Sequence, residues 1–166
     1  MGRRLLLVVL TMAMASALFG CGGGEGGKYT DNAPAAKPVD LGDPAQIATG
    51  VTPYGTTAFI VKAQVGGETR LYVLVNRVPG PGGGLIQYSP TEKIFFDSNR
   101  EHRYDISGEA QHTIPKGPNA GQPGLPMDRL RVELDPNNGH VLLSQGARIS
   151  KENRTNLEKK AYVVVP

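Results

Sequence analysis

One cysteine, Cys21, stands in 166 residues, and tryptophan is absent. A lone cysteine has no partner for an intrachain disulfide, so a disulfide framework is excluded and the fold must rest on an apolar core. Aromatic residues are 6% of the chain and nowhere interleave with a basic patch, which removes the usual footprint of a nucleic-acid binder. Catalytic signatures are missing as well. There is no nucleophile elbow, zinc signature or Walker-type loop, and the glycines at 82–84 are not followed by the helix that a phosphate cradle requires. No long amphipathic helix and no internal repeat can be read. Glycine and proline, by contrast, are plentiful, at 22 and 13 residues, and they punctuate the chain into short segments.

The N-terminus carries Arg3 and Arg4, then an apolar run over 5–18 broken by Thr11 and Ser16, then small residues. This is a secretory signal pattern, too short and weakly flanked to prefer a spanning helix. Its end, Leu18-Phe19-Gly20-Cys21, resembles the lipobox of bacterial lipoproteins, although Phe19 is bulkier than the residue usual there. The resemblance implies removal of 1–20, lipid attachment at Cys21, and an anchored protein on the periplasmic or extracytoplasmic side of a bacterial cell envelope. An ordinary signal peptide with an incidental cysteine is the alternative. N-myristoylation is rejected because Leu6 stands where that signal needs Ser or Thr. Loss of Arg3 and Arg4 lowers the formal net charge from +3 to +1, so the pI of about 9.1 overstates the basicity of the mature chain. With Cys21 lipidated, no thiolate is left for catalysis or metal ligation. Residues 21–40, rich in Gly, Ala and Pro, read as a flexible tether, and 41–166 as one domain.

That domain reads as all-β, with many short strands and long Gly/Pro loops. The runs over 56–65 and 69–75 mix β-branched and apolar residues and are joined by Gly66-Gly67, a hairpin signal. Short extended pieces follow at 85–88, at 93–96 with Phe95 or Phe96 in a core, and at 103–106. Three prolines and three glycines over 116–127 exclude helix and central strand. Residues 128–135 alternate, with Leu130, Val132 and Leu134 on one face and Arg129, Arg131, Glu133 and Asp135 on the other, and Asn138-Gly139 turns the chain into a returning strand over 140–144. Ser150 could cap a short helix over 151–160, ahead of a last strand at 161–165.

Three segments together are similar to a Rieske iron-sulfur domain. Residues 116–143, KGPNAGQPGLPMDRLRVELDPNNGHVLL, are similar to that family's proline loop, following strand and closing hairpin, with a loop a few residues longer. FDSNREHRYDISGE resembles its second ligand loop, F-x-C-P-C-H-G-S-x-Y-D-x-x-G-E, with Tyr104, Asp105, Gly108 and Glu109 in place. PGPGGG falls where the first ligand loop, C-T-H-L-G-C, belongs, and the likeness covers most of 56–144. The resemblance implies a domain that holds a [2Fe–2S] cluster through two Cys and two His and serves a membrane electron-transfer complex. In this register the ligand positions are Pro79, Pro81, Asp97 and Arg100, and the positions of the family's loop disulfide are Gly84 and Asn99. Proline and glycine have no ligating side chain and arginine is a permanent cation, so a conventional cluster is not expected.

The expectation is a membrane-anchored, Rieske-like lipoprotein without a cluster, a binding or structural subunit with a possible protein partner in a membrane redox complex and no nucleic-acid partner. Its docking surface would include Pro79, Gly82, Arg100, His102, Arg103 and Pro123. The alternative is an electron-transfer protein with unusual ligation by Asp97, His102 or His112, and an enzyme using a pocket between the loops is a third reading. His112 and His140 read as solitary. The charged residues of the second loop read as exposed groups making local contacts.

Overall fold

The computed structural model describes residues 37–80, 83–149 and 151–165. Residues 1–20, Cys21 and most of the expected tether lie outside them, as do Pro81, Gly82 and Ser150.

The described residues form ten strands: β1 Val39–Asp40, β2 Gly50–Tyr54, β3 Ala58–Val65, β4 Glu68–Val75, β5 Ile86–Ser89, β6 Ile94–Asp97, β7 Arg103–Tyr104, β8 Arg129–Leu134, β9 Val141–Ile149 and β10 Val163–Val165. The domain is all-β, as its sequence pattern predicts. One antiparallel sheet runs β1-β9-β8-β4-β3-β2, with β10 also paired to β4, and curls into a half-barrel. A second, three-stranded sheet runs β5-β6-β7.

The apolar runs of β3 and β4 follow from this curl. Antiparallel strands with one wet face alternate, whereas strands covered on both sides are apolar throughout. Phe59, Val61, Tyr72 and Leu74 pack against Ile86, Phe95, Tyr104 and Met127 of the small sheet and its loops. Ile60, Leu71 and Val73 face the opposite way, onto Leu130, Val132, Val141 and Leu143 inside the half-barrel. The Gly66-Gly67 hairpin holds, with Val65 opposite Glu68. Phe95, not Phe96, is the core residue of β6.

Three expectations are corrected. In β8, Leu130 and Val132 are buried, but Leu134, the last residue of the strand, is 44% exposed, while Arg129 from the opposite face is buried. The returning strand is longer than 140–144. It continues to Ile149 past a register shift, with Arg131 opposite Ser144 but Leu130 opposite Arg148. No helix spans 151–160: a single 3-10 turn, Lys151–Asn153, is followed by further turns before β10. Asn156 Oδ1 accepts the Glu158 and Lys159 amides at 2.9 and 3.3 Å, a local bond that competes with helix hydrogen bonding, and Lys160 adopts φ 61°. The short strands β1 and β2 had no clear signal, being two residues long in one case and interrupted by Pro53 in the other.

Candidate functional site

Three connections meet beside the small sheet. The first leaves β4 and returns to β5 through residues 76–85. Val78 N donates to Gly84 O (2.9 Å) and Ile86 N to Asn76 O (2.8 Å), so the excursion is closed at its base. Pro79 is half-buried and Gly84 exposed. Pro79 lines a cleft of about 340 Å³ with Leu125, Pro126, Lys151 and Glu152, which brings the first loop against the proline-rich segment.

The second connection, between β6 and β7, is organised by Asp97. Asp97 ends β6 and is buried, at 7% exposure. Oδ1 accepts the His102 amide at 3.0 Å and Oδ2 faces His102 Nδ1 at 3.1 Å. The backbone closes the same turn, with Arg100 N donating to Asp97 O (2.9 Å) and Asp97 N to His102 O (3.2 Å). Burial pushes the Asp97 carboxyl up, but the hydrogen bonds from the His102 amide and ring and the charge of that ring prevail, holding it below the usual carboxylate range. Asp97 is therefore not an exposed loop charge. Asn99, Arg100 and Arg103 are exposed. Arg100 takes φ 57°, pairs with Glu92 at 3.1 Å, and lies over the Phe96 ring at 4.5 Å.

His102 and His112 are ten residues apart in sequence, yet their rings meet edge-on with centroids 4.8 Å apart. His112 also meets Tyr104 at 5.2 Å, and its Nδ1 lies 3.0 Å from Arg103 O. It is not solitary, and neither is His140, whose Nδ1 is 3.0 Å from Asp40 Oδ2. The partners are remote or irregular in sequence, so spacing could not reveal them. Tyr104 is fully buried, and its hydroxyl has no hydrogen-bond partner among the described residues. Burial, reinforced by the Asp97 and Asp128 charges, raises its pKa.

The turn after β7 accounts for Asp105, Gly108 and Glu109. Asp105 Oδ1 accepts from the Ser107 amide (2.9 Å), the Ser107 hydroxyl (2.6 Å) and the Glu109 amide (2.9 Å). Gly108, at φ 79°, lies where a Cβ would stand 3.0 Å from Leu74 and 3.1 Å from Arg154, so a side chain is opposed by both backbone and packing. Two buried arginines grip this turn from below. Arg154 donates to Ser107 O (3.0 Å) and Gly108 O (3.3 Å) and pairs with Glu109 at 2.8 Å. Arg129 donates to Ser107 O (3.0 Å) and Arg154 O (2.7 Å), with its guanidinium 4.2 Å over the Tyr72 ring. Burial, with the adjacent Arg154 charge, pulls Arg129 down to about 10, and burial pushes Tyr72 up to about 12. Sequence reading missed both arginines, since one stands in an alternating strand and the other in a charged tail.

The structure thus brings Asp97, His102, His112 and Tyr104 together and keeps Arg100 turned outward to Glu92. Pro123 is exposed on the proline-rich segment, bridged to Thr113. A [2Fe–2S] cluster needs four converging soft or imidazole donors. Of the four ligand positions, the prolines 79 and 81 have no donor side chain, Asp97 is committed to His102, and Arg100 is a cation. Among the described residues no three His, Cys, Asp or Glu side chains are placed to hold a metal ion. The residues present do not fit the cluster. No family model matches the chain, and no curated protein matches it.

Proposed function

We propose that the chain is a Rieske-like domain without a cluster, anchored to a bacterial envelope membrane by lipid at Cys21, that works as a binding or structural subunit of a membrane electron-transfer assembly. The observation that carries this reading is the turn over 104–109. Asp105, Gly108 and Glu109 each have a demonstrable task in shaping the turn and Tyr104 packs into the core beside it, while the neighbouring positions that would hold iron carry groups committed elsewhere or unable to ligate. A scaffold kept and a donor set lost is the combination expected of a domain that now presents its loops to a partner. The exposed Arg100, Arg103, Leu125 and Pro123 form the accessible part of that surface.

Two experiments test it. Anaerobic reconstitution with iron and sulfide should give no visible absorption and no reduced-state EPR signal of a [2Fe–2S] centre; either signal removes the proposal. Growth with labelled palmitate should mark the wild-type protein and leave Cys21→Ala unlabelled, and a wild-type protein without label removes the anchor. The alternative, an electron carrier with unusual ligation by Asp97, His102 or His112, would use side chains that are not grouped to hold a metal ion among the described residues. That reading requires stoichiometric metal in protein taken from its native membrane, and elemental analysis showing none ends it.

A further inference from the structure

His112 stands at the entrance to the proline-rich segment, and its ring is held on several sides. Nδ1 is within hydrogen-bond distance of both the Arg103 amide (3.2 Å) and carbonyl (3.0 Å). The rings of His102 and Tyr104 meet it at interplanar angles of 79° and 81°. Its far edge lies under Gly124: a Cβ there would fall 2.2 Å from Nε2, 2.5 Å from Cε1 and 2.8 Å from Cδ2. Any residue larger than glycine has to displace the ring or the loop. The backbone repeats the contact, with Gly124 N donating to His112 O at 2.9 Å. Beyond it, Thr113 bridges Pro123, Ile114 N donates to Gln122 O (2.8 Å) and Gly121 N to Ile114 O (2.9 Å). The excursion over 113–123 is therefore a closed loop standing on the His112–Gly124 contact, and beneath that contact His102 is fixed by Asp97.

We infer that His112 is the positioning residue of this end of the molecule: through the chain Asp97, His102, His112 and Gly124 it seats the proline-rich loop on the second loop by ring packing and by its hydrogen bonds to Arg103 and Gly124. A flat ring fits under a glycine backbone, and a ring nitrogen is needed to hold Arg103. Only the consequence for a docking partner rests on the function proposed above; the contact itself does not.

Native-state hydrogen exchange of the full chain tests this. His112→Ala should speed exchange of the Ile114, Gly121 and Gly124 amides by about tenfold or more, with the Val61 and Val73 amides of the core strands unchanged. His112→Phe, which keeps the ring and loses the nitrogen, should fall between wild type and alanine. Gly124→Ala should loosen the same three amides, and adding His112→Ala should relieve that effect, because the added methyl then occupies the space the ring has left. Should Gly124→Ala fail to fold, the two His112 variants still decide. Unchanged exchange at 114, 121 and 124 in His112→Ala overturns the inference, and so does loosening of wild type by a chelator, which would mean that a metal seats the loop. A [2Fe–2S] signal on reconstitution would remove the proposed function without touching the exchange result, so the two can fail separately.

Discussion

Lys62 is a strand residue at 8% exposure, and its ammonium is tolerated there because three carbonyls receive it: Pro44 at 2.9 Å, Ile47 at 3.0 Å and Ala45 at 3.4 Å. Lys62→Met keeps most of the apolar stem and leaves those carbonyls without a donor, so a loss of about 2 kcal/mol is expected from urea unfolding with an unchanged slope. A change below about 0.5 kcal/mol would mean that water replaces the ammonium at no cost. Tyr104 gives the opposite sign. Its buried hydroxyl lacks a partner, and removing an unsatisfied buried polar group is favourable or neutral, so Tyr104→Phe should leave stability unchanged or raise it by up to about 1 kcal/mol. Clear destabilisation would show that the hydroxyl binds something in the folded protein. Neither residue could be read in advance. Lys62 looks like a polar interruption in an apolar run, and its three acceptors belong to a loop 15 to 18 residues away. Asp105, Gly108 and Glu109 were legible because their partners lie within four residues or follow from a glycine's backbone, whereas the arginines that complete the turn come from 20 or more residues off.

Among the elements, β1 is one of the two shortest, and neither of its residues is fully buried. It contributes two residues to the sheet, Val39 opposite Leu143 and Asp40 opposite Leu142, with Leu41 N and Val141 N adding backbone bonds to Val141 O and Gly42 O. The Asp40–His140 pair clips its end. The side-chain hydrogen bond that His140 donates to the Asp40 carboxylate is the main cause that raises His140, and the carboxylates of Asp43 and Asp135 add to it; the same bond, with the Gly42 amide, lowers Asp40. A raised histidine contributes stability that is full below its ordinary value of 6.5 and fades as pH rises through the folded value. A lowered carboxylate contributes above its ordinary value of 3.8 and fades as pH falls through the folded one. The clip is therefore strongest between about pH 4 and 6.5, and protection of the Leu41 and Val141 amides should decline from pH 6 to 8. His140→Gln should flatten that decline, and a wild-type profile already flat over this range would show that the pair does not hold β1. The strands that sequence pattern found, β3, β4 and β8, are those with long periodic or apolar runs, and β1 was missed because two residues carry no period. The helix expected over 151–160 failed for a related reason: its charges suit a wet helical face, but Arg154 is drawn inward to Ser107 and Gly108.

At the scale of the whole molecule, that inward pull makes the C-terminal segment part of the fold rather than an appendage. β10 pairs antiparallel with β4, Val163 opposite Leu71 and Val165 opposite Thr69, and fills the edge that β8 leaves free below Val73. Ala161, Tyr162, Val163 and Val165 are all buried, two in each of the cores on either side of the main sheet. Burial of a valine or tyrosine side chain is worth about 2 kcal/mol, and Arg154 adds charge-assisted bonds to the turn over 105–109. Losing all of these together removes an amount comparable with the entire net stability of a domain this size, about 5–15 kcal/mol. A chain ending at Ile149 should therefore show no cooperative urea transition by circular dichroism and should expose apolar surface to a hydrophobic dye. Arg154→Ala in the full chain should retain a cooperative transition but lose about 2 kcal/mol, and Arg154→Lys, which keeps the charge but cannot reach Ser107, Gly108 and Glu109 at once, should recover only part of that. A truncated chain that unfolds cooperatively at the wild-type midpoint would separate the C-terminal segment from the fold, and with it the arginine grip that shapes the loop on which the proposed function depends.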